Sequence, residues 1–361
     1  MSRLALPAAL LLSIPLLAGC LQPTPEANVG ASAADPFEPV NAVLSLLPEG
    51  DRVRAFVLDI STRFPGRAGD EAPSKLGARE LLRTELSAGG LAVVDHAYEQ
   101  GGDAPNRGVN VLGMLPGRTD RWIVVGAHYD SVRNSPGAWD DGSGTGVVLE
   151  LARSAASREW NHGLIFALWD DEEEGLVGSE NFVLDHVDST YSVAAMFQFD
   201  APGFNYPCED PGLGPLPLSV YHGLPGWRDQ TALVDAVRET AVEKGYPAGA
   251  VVIREGEIVS NPPSGIVARG TSDHASFAHA GVPYLFFFSS TSHELARVQN
   301  PVTGRTTTVA TPWTMQFHGP LDTYEQLLLR CGNDAARLAG AYQTALDLAM
   351  GTLIRFDAVA P

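Results

Sequence analysis

The chain has 361 residues, 45% of them hydrophobic and 19% charged, which excludes a disordered or fibrous protein and leaves enough apolar sequence for a sizeable core. Acidic residues outnumber basic ones 43 to 24, and the formal net charge of -19 repels phosphate backbones, which argues against a nucleic-acid binder. Lys75 and Lys244 are the only lysines, and neither stands in the Gly-rich setting of a nucleotide-binding P-loop.

The first element in chain order is an apolar run over residues 4 to 18, preceded by Arg3 and too short to span a bilayer comfortably. It ends in Leu17-Ala18-Gly19-Cys20, which resembles a bacterial lipobox. Residues 1 to 19 are therefore expected to be a lipoprotein signal peptide, with Cys20 diacylated and exposed as the mature N-terminus. Leu21 stands where an inner-membrane retention signal would carry Asp. The expected destination is thus the cell envelope, at the outer membrane or its periplasmic face. Residues 20 to 38, rich in Pro and Ala, read as a lipidated tether, 39 to 353 as one folded domain and 354 to 361 as a tail. Cys208 and Cys331 remain, and an exported compartment permits either a disulfide or two free thiols.

Helical periodicity appears at about 39 to 62, 74 to 88, 144 to 158, 226 to 245 and through most of 322 to 350. Between these lie short apolar runs at 122 to 127, 164 to 168, 193 to 199, 216 to 221, 250 to 253 and 283 to 288. Unalternating strands of this kind are buried on both faces. The class is α/β: a single domain with a mixed, mostly parallel central sheet covered by helices on both faces.

Three of those strands run directly into polar clusters. The first leads into His128-Tyr129-Asp130-Ser131, the second into the five acids from Asp170 to Glu174, and the third into Asp200-Ala201-Pro202-Gly203. In open α/β sheets ligands sit beyond the carboxyl ends of strands, so the three clusters are expected to converge. His128 and Asp130, two apart, would share a face of a continuing strand, one as a ligand and the other orienting it. Asp140-Asp141-Gly142-Ser143-Gly144 opens a helix and on its own reads as a turn with an Asp cap. The acid run has no counter-charge beside it, and such clustering behind a buried strand is costly unless a cation holds it.

Taken together these segments resemble the exported di-zinc aminopeptidase family of bacterial leucine aminopeptidases, aminopeptidase Y and plasma glutamate carboxypeptidase, to which glutaminyl cyclase is related. The resemblance covers about residues 60 to 330. It rests on Arg63-Phe64-Pro65-Gly66, Asn110-Val111, Gly126-Ala127-His128-Tyr129-Asp130-Ser131, the Asp140-Asp141-Gly-Ser-Gly turn and Glu172-Glu173-Glu174-Gly175-Leu176-Val177-Gly178-Ser179. It continues through Asp200, Ser272-Asp273-His274 and His318-Gly319-Pro320-Leu321-Asp322-Thr323. The resemblance implies two Zn²⁺ per chain: His128 and Asp200 on one, Glu173 and His318 on the other, Asp140 bridging both, and Glu172 as general base. It also implies that Asp130 orients His128 and that Asp141 belongs to a strained peptide, with Asp273 and His274 supporting the site.

The implied function is hydrolysis of N-terminal residues from peptide substrates. Two departures stand out: Arg269 replaces the Tyr that secreted leucine aminopeptidases carry, and a nearby cysteine pair is missing. Arg269 could polarise the scissile carbonyl, bind a substrate carboxylate or face solvent. The alternatives are a glutaminyl cyclase, a carboxypeptidase or dipeptidase of the same family, and a non-catalytic surface lipoprotein. Oligomeric state is not legible.

Overall fold

The computed structural model describes residues 49–69, 72–100, 106–210, 214–223, 229–256, 259–261, 265–267, 272–289, 296–299, 306–309 and 318–359. The expectations for the signal peptide, Cys20, the tether and Arg269 lie outside these residues.

In chain order the strands begin with β1 (Ala92–Gln100), β2 (Asn106–Leu115), β3 (Arg121–His128), β4 (Gly163–Trp169) and β5 (Ser192–Phe199). The rest are β6 (Glu209–Asp210), β7 (Gly214–Pro215), β8 (Leu218–His222), β9 (Val251–Glu255), β10 (Val259–Asn261), β11 (Gly265–Val267), β12 (Tyr284–Ser289), β13 (Ala296–Gln299) and β14 (Thr306–Val309). Eight of them form one sheet in the order β1-β2-β4-β3-β5-β12-β8-β9, and the others pair into two-stranded ribbons. The centre, β4-β3-β5-β12, is parallel, whereas β1-β2, β2-β4 and β12-β8 are antiparallel.

The helices are α1 (Gly50–Arg63), α2 (Pro73–Ala88), α3 (Gly142–Ala155), α4 (Val177–His186), α5 (Gln230–Lys244), α6 (His274–His279), α7 (Tyr324–Arg330) and α8 (Ala335–Val359). They cover both faces, because central strands apolar at every position must bury alternate side chains on opposite sides. Leu164, Phe166 and Leu168 join Val53, Val57 and Ile60 of α1 and Leu346 of α8 in one core. Ile165, Ala167 and Trp169 join Phe182 of α4 and Phe277 of α6 in the other.

Several expectations change. β1 and β2 were missed, because on β1 only alternate residues such as His96 and Tyr98 are buried and charged residues interrupt the pattern. Helices α4 and α6 are too short to show a period. The expected helix over 322 to 350 is two, broken where Gly332 and Asn333 adopt positive φ of 72° and 56°. The expected tail from 354 is instead the last turns of α8. Phe356 is fully buried there, and the Asp357 carboxylate accepts the backbone N–H groups of Asn161 and His162 at 3.0 and 2.8 Å. Cys208 and Cys331 form a disulfide that joins the segment after β5 to the end of α7.

Candidate metal centre

Strands β4, β3 and β5 are adjacent and parallel, so the residues that follow them emerge at one edge of the sheet. His128 pairs with Trp169, the last residue before Asp170, and Gly126 pairs with Gln198, two before Asp200. Convergence there is a consequence of register. His128 is fully buried, its carbonyl accepts the Thr145 hydroxyl at 2.8 Å, and its Nδ1 lies 3.3 Å from Asp130 Oδ1. That partner favours a proton on Nδ1 and leaves Nε2 as a donor of electrons toward the cluster. Nε2 stands 3.1 Å from Asp140 Oδ1, 3.9 Å from Asp200 Oδ1 and 4.0 Å from Glu172 Oε2.

The Asp140-Asp141 peptide is cis. Asp141 caps α3: its Oδ1 accepts the N–H of Gly144 at 2.7 Å and of Ala201 at 3.0 Å. Residue 144 must be Gly, since a Cβ there would strike both Asp141 carboxylate oxygens and the Phe199 carbonyl. The loop before Asp140 is held from two sides. The buried Arg67 guanidinium donates to the carbonyls of Tyr129, Pro136 and Gly137, and the Asp322 carboxylate accepts the N–H groups of Trp139 and Asp140 at 2.7 and 3.1 Å. His318, four residues before Asp322, has φ 64° and a half-exposed side chain. Its Nε2 lies 3.0 Å from Asp140 Oδ2 and 3.1 Å from Glu173 Oε2.

The five-acid run divides. Glu172 and Glu173 face the imidazoles, and their backbone N–H groups both donate to the Asp130 carboxylate at 3.2 Å. Asp170 and Asp171 turn the other way, toward α2. Lys75 Nζ, fully buried, is 2.6 Å from Asp170 Oδ1 and closer still to Asp171 Oδ1, while Arg79 donates to Asp170 Oδ2 at 2.9 Å and the Tyr98 hydroxyl to Asp171 Oδ2 at 2.9 Å. The expectation that the run lacks a counter-charge is thus corrected: two cations reach it from helix α2.

The charge state follows this geometry. Burial, reinforced by Asp200, Asp273 and Asp130, pushes Glu172 well above the usual carboxylate range, and burial likewise raises Glu173 and Asp200. Asp140 is held low despite its burial, because both imidazoles contact it. Hydrogen bonds to Asp140 and Glu173 push His318 up to about 10. Two sets of donor atoms are close enough to grip an ion: His128, Asp140 and Asp200, and Asp140, Glu173 and His318. Buried His128 Nε2 and Glu173 Oε1 make no hydrogen bond, and crowded carboxylates with an imidazole nitrogen in each set fit a nitrogen- and oxygen-preferring cation such as zinc.

Asp273 and His274 are buried, and Asp273 is near enough to feel the charges of Asp130 and Asp200. Gln198 Nε2 donates to Asp273 Oδ2 at 3.1 Å, and burial pushes the Asp273 carboxyl to about 7. His274 stacks on Phe286 with ring centroids 4.2 Å apart, and burial drops its pKa to about 3, so it contributes packing rather than charge. Sequence reasoning missed Lys75, Arg79, Arg67 and the contacts of Asp322. The one usable signal was Lys75 itself, a rare lysine on the helical stripe shared with Ala78, Leu82 and Leu86.

Comparison with known proteins gives a consistent picture. The sequence pattern of peptidase family M28 matches residues 110–342. A "Probable lipoprotein aminopeptidase LpqL" of Mycobacterium tuberculosis is 30% identical over 213 residues, 57% of this chain and 38% of that protein. The "Leupeptin-inactivating enzyme 1" of Streptomyces exfoliatus is 28% identical over 254 residues, 68% of this chain and 51% of that protein. This chain therefore spans about half or less of these relatives' length. The solved aminopeptidase from Aneurinibacillus sp. strain AM-1 shares the fold with a TM-score of 0.58 at 16% identity, over 87% of this chain and 95% of that one. A Porphyromonas gingivalis glutaminyl cyclase fits as well, with a TM-score of 0.59 at 20% identity over 87% and 98%.

Proposed function

The chain belongs to peptidase family M28, and on that premise we propose that it is a zinc-dependent aminopeptidase acting on the free N-termini of peptides. The observation that carries this reading is the meeting of two imidazoles and three carboxylates in two sets that share Asp140. His128 and Asp200 would hold one zinc ion, Glu173 and His318 a second, with Asp140 common to both. When bound, zinc supplies Lewis-acid polarisation and lowers the pKa of water toward neutrality.

Glu172 is the general base in this reading. Its carboxylate borders the cluster without belonging to either set, 4.0 Å from His128 Nε2, where it can reach a water held beside the ligands. It takes a proton from the attacking water and returns it to the departing amine. Asp130 ties the His128 ring to the backbone of 172 and 173, so base and imidazole keep a fixed relation. Asp141 fixes the loop after Asp140, and buried Asp273 and His274 support the site.

Export and attachment to the cell envelope through lipidated Cys20 belong to the same proposal. The name of the mycobacterial relative supports them. No described helix is long and apolar enough to cross a membrane. Loss of labelled fatty acid from a Cys20→Ala protein would test the anchor.

For the activity, Glu172→Ala should lose nearly all turnover of an aminoacyl nitroanilide while elemental analysis finds its zinc retained. Wild-type rates in that variant would sink the assignment. Peptides blocked at the N-terminus should resist cleavage. Ammonia release from an N-terminal glutamine would point instead to the cyclase reaction named for one fold neighbour.

A further inference from the structure

The two sets of donors are supported in different ways. His128 and Asp200 extend the ends of β3 and β5 and inherit the rigidity of the central sheet. His318 is placed otherwise. It sits on a turn with φ 64°, a conformation that costs a residue with a Cβ unless neighbouring contacts impose it. Asp322 supplies contacts that fix this turn against the rest of the site.

Asp322 is 4% exposed. Its backbone N–H closes the turn onto the Gly319 carbonyl at 3.1 Å, and its own carbonyl accepts the Ala138 N–H at 3.2 Å. Its carboxylate takes the N–H groups of Trp139 and Asp140 and, at 3.4 Å, the Ser135 hydroxyl. One side chain therefore joins the turn that carries His318 to the backbone that carries Asp140. Among the described residues neither His128 nor Asp200 hydrogen-bonds to it, and the first set meets the joined segments only through Asp140.

We infer that Asp322 is a positioning residue that sets the distance between His318 and Asp140, and thereby governs occupancy of the second zinc site without touching the ion. This rests on the two-zinc reading above. Outer contacts of this kind typically change metal affinity by about 10- to 100-fold. Here the change falls mainly on the second site, because only the Asp140-Glu173-His318 set bridges the two segments that Asp322 joins.

The test is a zinc titration of the metal-free protein against a chromophoric chelator, for wild type, Asp322→Asn and the milder Ser135→Ala, which removes one donor to the same carboxylate. Wild type should bind two ions. Asp322→Asn should weaken the second site by about 10- to 100-fold and the first, which shares only Asp140 with the joined segments, by much less, with turnover recovering as free zinc is raised. Ser135→Ala should weaken the same site to a smaller degree. A general loss of packing would lower thermal stability or weaken both sites together, and zinc would not restore turnover selectively. If wild type binds two ions and both variants do so with unchanged affinities, or lose both sites in parallel, the inference about Asp322 is overturned while the two-zinc reading stands. If wild type binds one ion, both fall together.

Discussion

Consecutive residues of the run Asp170 to Glu173 meet opposite solutions to the same electrostatic problem. Asp170 and Asp171 are neutralised from inside the protein, by Lys75 and Arg79 of α2 with the Tyr98 hydroxyl completing the shell. Glu172 and Glu173, one step along the chain, face two imidazoles and further carboxylates, and both are raised by burial among like charges. The backbone turn between the two pairs falls at Asp171, whose φ of 55° sends successive side chains to opposite sides. A buried ion pair completed within the fold is there at every metal concentration. A carboxylate cluster that the fold leaves short of cations is a place that an ion from solution can fill. The difference separates charge that holds the loop from charge that uses it.

The comparison is most directly broken at Lys75. Lys75→Met should strip two fully buried carboxylates of their shared cation and cost about 3–5 kcal/mol of stability, read as a fall in denaturation midpoint. A variant as stable as wild type would show that the Lys75 cluster is not structural. The cost has a defined pH dependence. Although burial alone would lower it, Asp170, Asp130 and Asp171 raise the Lys75 pKa above its ordinary 10.5. A raised pKa in the folded state means stability that is fully present below the unfolded value and lost only as pH climbs through the folded one. Lys75 itself should therefore add no pH dependence to the gap between wild type and Lys75→Met from neutrality to about pH 9, whereas Asp170, which burial pushes to about 6 even beside Lys75, should narrow the gap as the medium is acidified.

Per ion, removing metal should be milder. With zinc at about a hundred times its dissociation constant, chelation forfeits about 2.7 kcal/mol per site. The metal-free protein should keep its sheet and its Lys75 cluster while losing turnover. Circular dichroism before and after chelation checks this, and global unfolding on chelation would erase the distinction between the two halves of the run.

The central sheet was legible because burial on both faces leaves an uninterrupted apolar run, and the candidate site because polar clusters follow those runs directly. Side chains named from that pattern and from the family resemblance, His128, Asp140, Glu172, Glu173, Asp200 and His318, come together in the folded chain. What stayed hidden was mostly long-range. Lys75 lies 96 residues before Asp171, Asp322 meets the N–H of Asp140 across 182 residues, and the two cysteines are 123 apart. Local pattern carries no record of such partners. The edge strand β1 was hidden for another reason, since half of it faces solvent and tolerates charge.

The Cys208–Cys331 bridge makes assembly depend on where the chain folds. It ties the segment after Asp200 to the end of the helix that begins just beyond Asp322, a covalent link within the core that is independent of the sheet's hydrogen bonds. Reducing compartments hold such thiols apart, and oxidising ones join them. Formation of the bridge should therefore follow the redox state of the compartment in which the chain folds.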